Sequence, residues 1–168
     1  MVGFLVATPE STEQALLLTK VVRAIKAQVD ESQVFVISPA STMFVFEHNP
    51  NVKLVMSTNS KLTDILSKLE NEEIHYLINF TTIRYINRIG RKLGLIPFAP
   101  YHLSVFNRLF KKSYIKRITT TDYTKEAFEC LEVFDVTDDN QNPELYLPQA
   151  QQEPNLAMLP FAVDVKRM

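Results

Sequence analysis

Arg84, Arg88, Arg91 and Lys92 stand at i, i+4, i+7 and i+8, the spacing that gathers four cations on one face of a helix. Arg108, Lys111 and Lys112 repeat the pattern further along, and Lys116 and Arg117 follow. Guanidinium and ammonium groups in such arrays hold phosphates and carboxylates, arginine through paired donors. The block is also unbalanced: residues 81–117 carry nine of the 18 basic residues and none of the 19 acidic ones. Residues 1–80 have nine acids and six bases, and residues 118–168 have ten and three. Ordinary surfaces intersperse both signs. The block therefore reads either as an anion-binding surface or as an asymmetry neutralised by the acidic final third. An acceptor bearing several anionic groups fits it, and so does RNA, which the block alone does not separate.

A second place where chemistry could sit is Pro9-Glu10-Ser11-Thr12-Glu13-Gln14, a turn between an apolar run and an amphipathic helix. Its bland reading is complete in itself. Ser11 through Gln14 match a capping box, and Glu10 and Glu13 suit the positive end of a helix dipole. The chemical reading gives Glu13 a carboxylate role at the edge of a sheet. Dinucleotide and phosphate-loop chemistry is excluded there, because both need glycines that let backbone amides approach phosphate. The three glycines are at 3, 90 and 94.

Other chemistries lack their residues. His48, His75 and His102 have no close partner, and Cys130 is the only cysteine. No metal-ligand spacing, Gly-x-Ser-x-Gly elbow or intrachain disulfide is available. No cofactor is expected. The net charge of -1 gives no general reason to expect a nucleic-acid partner. The N-terminus lacks the basic region of a signal peptide, and no apolar run approaches the roughly 20 residues that cross a bilayer. A cytoplasmic location is expected, with peripheral attachment to the inner membrane face as the variant.

The elements that must position these residues alternate. Gly3–Ala7 and 33–39 are strands, with a helix from Ser11 carrying Ala15, Leu18, Val22, Ile25 and Val29 on one face. A short helix is expected over 41–50 and a strand over 52–58. A helix capped by Ser60 follows over 60–73, then a strand over 74–80 and a helix over 83–94 closed by Gly94. Residues 95–101 read as a proline-interrupted edge strand, and 104–112 and 124–134 as helical. Such alternation gives a Rossmann-like α/β domain, a mostly parallel sheet with helices on both faces. Residues 138–168 differ, with prolines, amides and acids followed by an apolar terminal run. They read as a linker or extended arm ending in a strand, appended to a domain of residues 1–137.

The segments "LLLTKVVRAIKAQ", "VFVISP", "FEHNPNVKLVM", "YLINFTTIRYINRIGRKLGLIPFAPY", "VFNRLFKK" and "KEAFECLEVFDV", in that order, resemble the N-terminal domain of glycosyltransferase family 9. These are the heptosyltransferases of lipopolysaccharide core assembly. The resemblance runs over about residues 2–137. It implies one half of a GT-B enzyme, the acceptor-side domain, with the cationic residues 84–117 holding an anionic glycan or glycolipid acceptor. A nucleotide-sugar donor would bind only to a second domain, which is expected to begin where this chain stops. "LAMLPFAVDVKRM" is similar to the first strand of that domain, down to Lys166-Arg167. In the family an aspartate at the opening of the first helix serves as base. Its Gly-Asp pair falls on Glu13 and Gln14, so the resemblance leaves the base to Glu13. A later His-Glu pair falls on Lys125 and Glu126. The alternative is a non-catalytic relative serving as a binding or assembly module, a homodimer through the arm.

Overall fold

The computed structural model describes residues 1–99, 122–148 and 159–168. Strand β1 (Val2–Ala7) is buried from Gly3 onward and leads into helix α1 (Thr12–Gln28). Strand β2 (Ser32–Ser38), a 3-10 turn (Met43–Val45), strand β3 (Leu54–Ser57) and helix α2 (Leu62–Leu69) follow. Then come β4 (Ile74–Asn79), α3 (Arg84–Lys92) and the short β5 (Ile96–Phe98). Beyond them lie α4 (Tyr123–Glu129), a 3-10 turn (Glu132–Phe134), β6 (Glu144–Leu147) and β7 (Asp164–Arg167).

Strands β1 to β5 form one parallel sheet in the order β3-β2-β1-β4-β5. Alternation along the strands divides its core in two. Phe4, Val6, Val34 and Val36 join α1 and α4 on one face, while Leu5, Ala7, Phe35 and Ile37 join α2 and α3 on the other. Helices thus cover both faces, and the central strand β1 is apolar without interruption, as a strand buried on both sides requires.

Gly3 is needed where β1 meets β4, since a Cβ there would lie 2.1 Å from the Glu73 carbonyl oxygen. Gly94 closes α3 with φ +69°, a left-handed conformation suited to glycine.

Three expectations change. Ser60 does not cap α2: Lys61 holds that position and offers no side-chain bond. The helix expected over 41–50 contracts to the turn Met43–Val45. The polar stretch after Phe134 contains β6, whose four residues are all buried. It packs on α1, where the Glu144 N–H donates to Thr19 Oγ1 at 2.9 Å. Strand β7 pairs parallel with β6 and leaves the main sheet alone. The apolar Leu159, Phe161 and Val163 lie before it and pack against the α1 side of the core.

The arm's composition explains why it reads as linker. Its acids are tied down by cations of α1: Lys20 meets Asp138 at 3.0 Å, and Arg23 meets Asp139 at 2.7 Å and Glu144 at 3.3 Å. Glu144 also binds Lys166 and accepts a 2.8 Å bond from the Tyr146 hydroxyl.

Candidate functional site

The chain leaves β1 toward β2 on one side of the sheet's middle and leaves β4 toward β5 on the other. Strand order therefore reverses between β1 and β4, and at such a switch point the loops diverge and open a crevice beyond the carboxyl ends of the strands. A cleft of about 360 Å³ lies there. One wall is Pro9, Glu10, Ser11 and Gln14 of the β1–α1 turn, and the other is Phe80 to Ile83 of the β4–α3 turn, with Tyr123 at the side.

Each wall is fixed from behind. The Thr8 N–H donates to Ile37 O at 3.0 Å and the Phe80 N–H to Ala7 O at 2.9 Å, which carries the sheet ladder into both turns. Beneath the first turn the Thr8 hydroxyl donates to Ser38 Oγ at 2.8 Å, and Ser38 Oγ lies 3.0 Å from Thr42 Oγ1. Thr42 reaches on to the Pro9 carbonyl at 3.3 Å. All three hydroxyl residues are buried, so this chain of bonds satisfies groups that would otherwise cost about 1–3 kcal/mol each.

Ser11 caps α1 by accepting the Gln14 N–H at 3.4 Å. In the second wall, Asn79 Oδ1 accepts the Thr81 N–H at 3.0 Å, and its Nδ2 donates to Asn87 Oδ1 at 3.2 Å. Thr81 Oγ1 in turn accepts the Ile83 N–H at 3.2 Å.

Gln14 lines the cleft, whereas Glu13 is exposed on the first turn of α1 and is not part of the lining. An amide in that place donates and accepts hydrogen bonds but takes no proton at neutral pH. Glu126 is buried in α4 and Lys125 is exposed beside it. Arg84, Arg88, Arg91 and Lys92 are all exposed on the side of α3 opposite its buried Ile86, Ile89 and Gly90. They form the single cationic face expected from their spacing. This face starts at the cleft wall, where Ile83 precedes Arg84. It ends at Lys92, which borders a second recess of about 200 Å³ with Leu66, Glu70 and Leu93. Arg108, Lys111 and Lys112 lie outside the described residues.

The sequence gives no sign of Tyr123. Asp122 caps α4 by accepting the Thr124 and Lys125 N–H groups at 3.0 and 3.3 Å, which seats Tyr123 at the helix start. Its ring tilts against Phe80 at 6.3 Å. Its hydroxyl is buried without a hydrogen-bond partner among the described residues. Burial, then the charges of Glu126 and Cys130, push that phenol's pKa well above its usual range. Among the described residues no three His, Cys, Asp or Glu side chains gather as a metal site, and no helix is long and apolar enough to cross a membrane.

No family model and no curated protein matches the sequence. Solved structures do match the fold. A glycosyltransferase family 9 protein from Veillonella parvula superposes with a TM-score of 0.65 at 16% identity, over 86% of this chain and 44% of its own. E. coli ADP-heptose LPS heptosyltransferase II gives 0.64 at 11%, over 88% and 47%. E. coli heptosyltransferase WaaC with ADP gives 0.58 at 9%, over 86% and 51%. The chain spans about half the length of these structures. Its parallel domain with helices on both faces therefore has the fold found in glycosyltransferase family 9 and heptosyltransferase structures, as the order of segments in the sequence implies.

Proposed function

We propose that this chain is the acceptor-side part of a glycosyltransferase family 9-like protein, acting on lipopolysaccharide or another surface glycan. The observation that carries the reading is the cleft at the switch point, whose second wall runs directly into the cationic face of α3. A sugar in the cleft meets the hydroxyls of Ser11, Thr81 and Thr82 and the amide of Gln14, while phosphate or carboxylate groups attached to it reach Arg84 and Arg88. Residues 1–137 form the acceptor-side domain in this reading, and residues 138–168 form the arm.

Any transfer would be a direct displacement. A base takes the acceptor hydroxyl's proton as that oxygen attacks the anomeric carbon of the donor sugar and the nucleotide leaves. Glu13 is the carboxylate nearest the family's base position, and the nucleotide-sugar donor binds a second domain. The work would take place in the cytoplasm or at the inner membrane face.

A specific observation favours a second reading. Of the two residues that fall on the family's Gly-Asp pair, the one that lines the cleft is Gln14, which holds a ligand without deprotonating it. That suits a non-catalytic binding or assembly module with the same acceptor specificity.

The test is a titration of de-acylated lipopolysaccharide core oligosaccharide into the ¹⁵N-labelled chain. Shifts should concentrate at Ser11, Gln14 and Thr81 to Arg84 and weaken after phosphatase treatment of the sugar. No binding, or shifts elsewhere, would overturn the proposal. Transfer from ADP-sugar to the core oligosaccharide, assayed with a donor-binding domain supplied in trans, separates the two readings, because only the enzyme reading includes catalysis.

A further inference from the structure

A displacement that begins by deprotonating a sugar hydroxyl needs a proton-accepting group in the cleft that holds the sugar. Among the described residues that line the cleft, Glu10 is the only carboxylate, and no histidine or aspartate stands with it. Tyr123 is the other ionisable group there, and a phenol held above its usual range keeps its proton and donates instead. Glu13 supplies the acid of the first turn of α1, at the positive end of the helix, and is not part of the lining.

The backbone holds Glu10 in place from both sides. Pro9 before it has one dihedral locked by its ring, and its carbonyl accepts from Thr42 Oγ1 at 3.3 Å. Ser11 after it is the N-cap of α1, and its carbonyl accepts the Ala15 N–H at 2.9 Å. The Glu10 side chain itself is exposed and makes no hydrogen bond or ion pair with any of the described residues. The acids of the arm stand in contrast, since Asp138, Asp139 and Glu144 are all engaged by cations of α1. Glu10 is thus an uncommitted carboxylate on a fixed stretch of chain at the mouth of the cleft.

We propose, resting on the enzyme reading above, that Glu10 is the catalytic base: its carboxylate accepts a hydrogen bond from the acceptor hydroxyl and takes that proton in the transfer. As the O–H bond breaks, its electron pair forms the new bond to the anomeric carbon of the nucleotide-sugar. The bond from that carbon to the phosphate oxygen breaks, and its pair leaves on the nucleoside diphosphate. Gln14, on the same wall, holds the sugar through its amide and stays uncharged. Holding and deprotonating the acceptor are thereby divided between two side chains.

The test has one arm without a donor and one with it. Core oligosaccharide is added to the chain carrying ¹³C at its glutamate side-chain carboxyls, with the Glu10 resonance assigned by its loss in Glu10→Gln. That resonance should move together with the cleft amides, and the Glu13 resonance should stay. Transfer from ADP-sugar is then assayed with a donor-binding domain supplied in trans, where Glu10→Gln should lower the rate about a hundredfold or more. Its oligosaccharide affinity and melting temperature should hardly change, because the amide still accepts a hydrogen bond and the side chain is exposed. Three results would overturn the proposal and leave acceptor binding standing: a Glu10 resonance that ignores an oligosaccharide bound in the cleft, a wild-type chain that binds but transfers nothing, and transfer undiminished in Glu10→Gln. An oligosaccharide that does not bind at all would overturn the acceptor reading as well.

Discussion

Arg23 of α1 grips Asp139 with two prongs, Nε to Oδ2 at 2.7 Å and Nη2 to Oδ1 at 2.8 Å, across 116 positions of sequence. The same guanidinium donates to the Asn142 carbonyl at 3.0 Å and lies 3.3 Å from Glu144. Only 13% of the Arg23 side chain is exposed, so these bonds are made largely out of water. Paired, charge-assisted contacts of this kind are the strong ones.

Arg23→Ala should destabilise the protein by about 2 kcal/mol, because it removes the paired donors of the partly buried Asp139 and one cation from the buried Glu144. Urea unfolding measures the loss. Amide exchange should rise first at Asn142 to Leu147, with the strands of the main sheet following only on global unfolding.

The same clamp should open in acid. The bonds from Arg23 hold the Asp139 carboxyl below its ordinary value of 3.8. Burial pushes Glu144 up, but hydrogen bonds from Lys166 and Tyr146 and the charge of Arg23 outweigh it, leaving this group below 4.5. Lowered carboxylates contribute stability that is fully present above their unfolded values and lost as pH falls through the folded ones. Stability should therefore be flat above about pH 5 and fall below the ordinary carboxylate range, and Asp139→Asn should flatten the fall. Melting temperature against pH is the measurement.

Two glycine replacements should part company. A Cβ on Gly3 meets backbone at 2.1 Å, so Gly3→Ala forces β1 from β4 and should cost about 3 kcal/mol. On Gly90 it meets the movable Cδ2 of Leu77 at 2.7 Å. The helix propensity gained there, about 1 kcal/mol, should leave Gly90→Ala close to the parent protein. Denaturant midpoints of the two variants decide it.

Tyr123→Phe removes a buried hydroxyl that has no partner among the described residues and should raise stability by about 1 kcal/mol. The intact phenol should stay protonated when alkali is added beyond the ordinary tyrosine range, which ultraviolet difference spectra against Tyr123→Phe would show.

Gln14→Ala should weaken core-oligosaccharide binding about tenfold, the value of one or two hydrogen bonds to a sugar hydroxyl. Its melting temperature should barely move, because the Ser11 cap accepts its bond from the Gln14 backbone N–H and not from the side chain. Calorimetric titration beside a thermal melt separates the two effects.

Much of the framework is legible in the sequence because its signals are local. The apolar run at β1, the Ser11 cap, the left-handed Gly94 and the cationic spacing on α3 each follow from residues a few positions apart. What escaped depends on distant pieces. Burial of Glu144 makes sense only beside Arg23, so a strand that opens on an acid after an acidic, amide-rich stretch reads as linker. Tyr123 becomes a cleft residue only when α4 is laid against the β4–α3 turn. Ser60 had the chemistry of a cap, but Lys61 occupies the position where helical geometry begins.

The central place of β1 also bears on synthesis. Its register with β4 pairs Val6 with Ile78, so on the ribosome an apolar strand must wait with one edge bare while some seventy further residues are made. Apolar surface and an unpaired edge are exposed together during that interval, the condition under which growing chains aggregate.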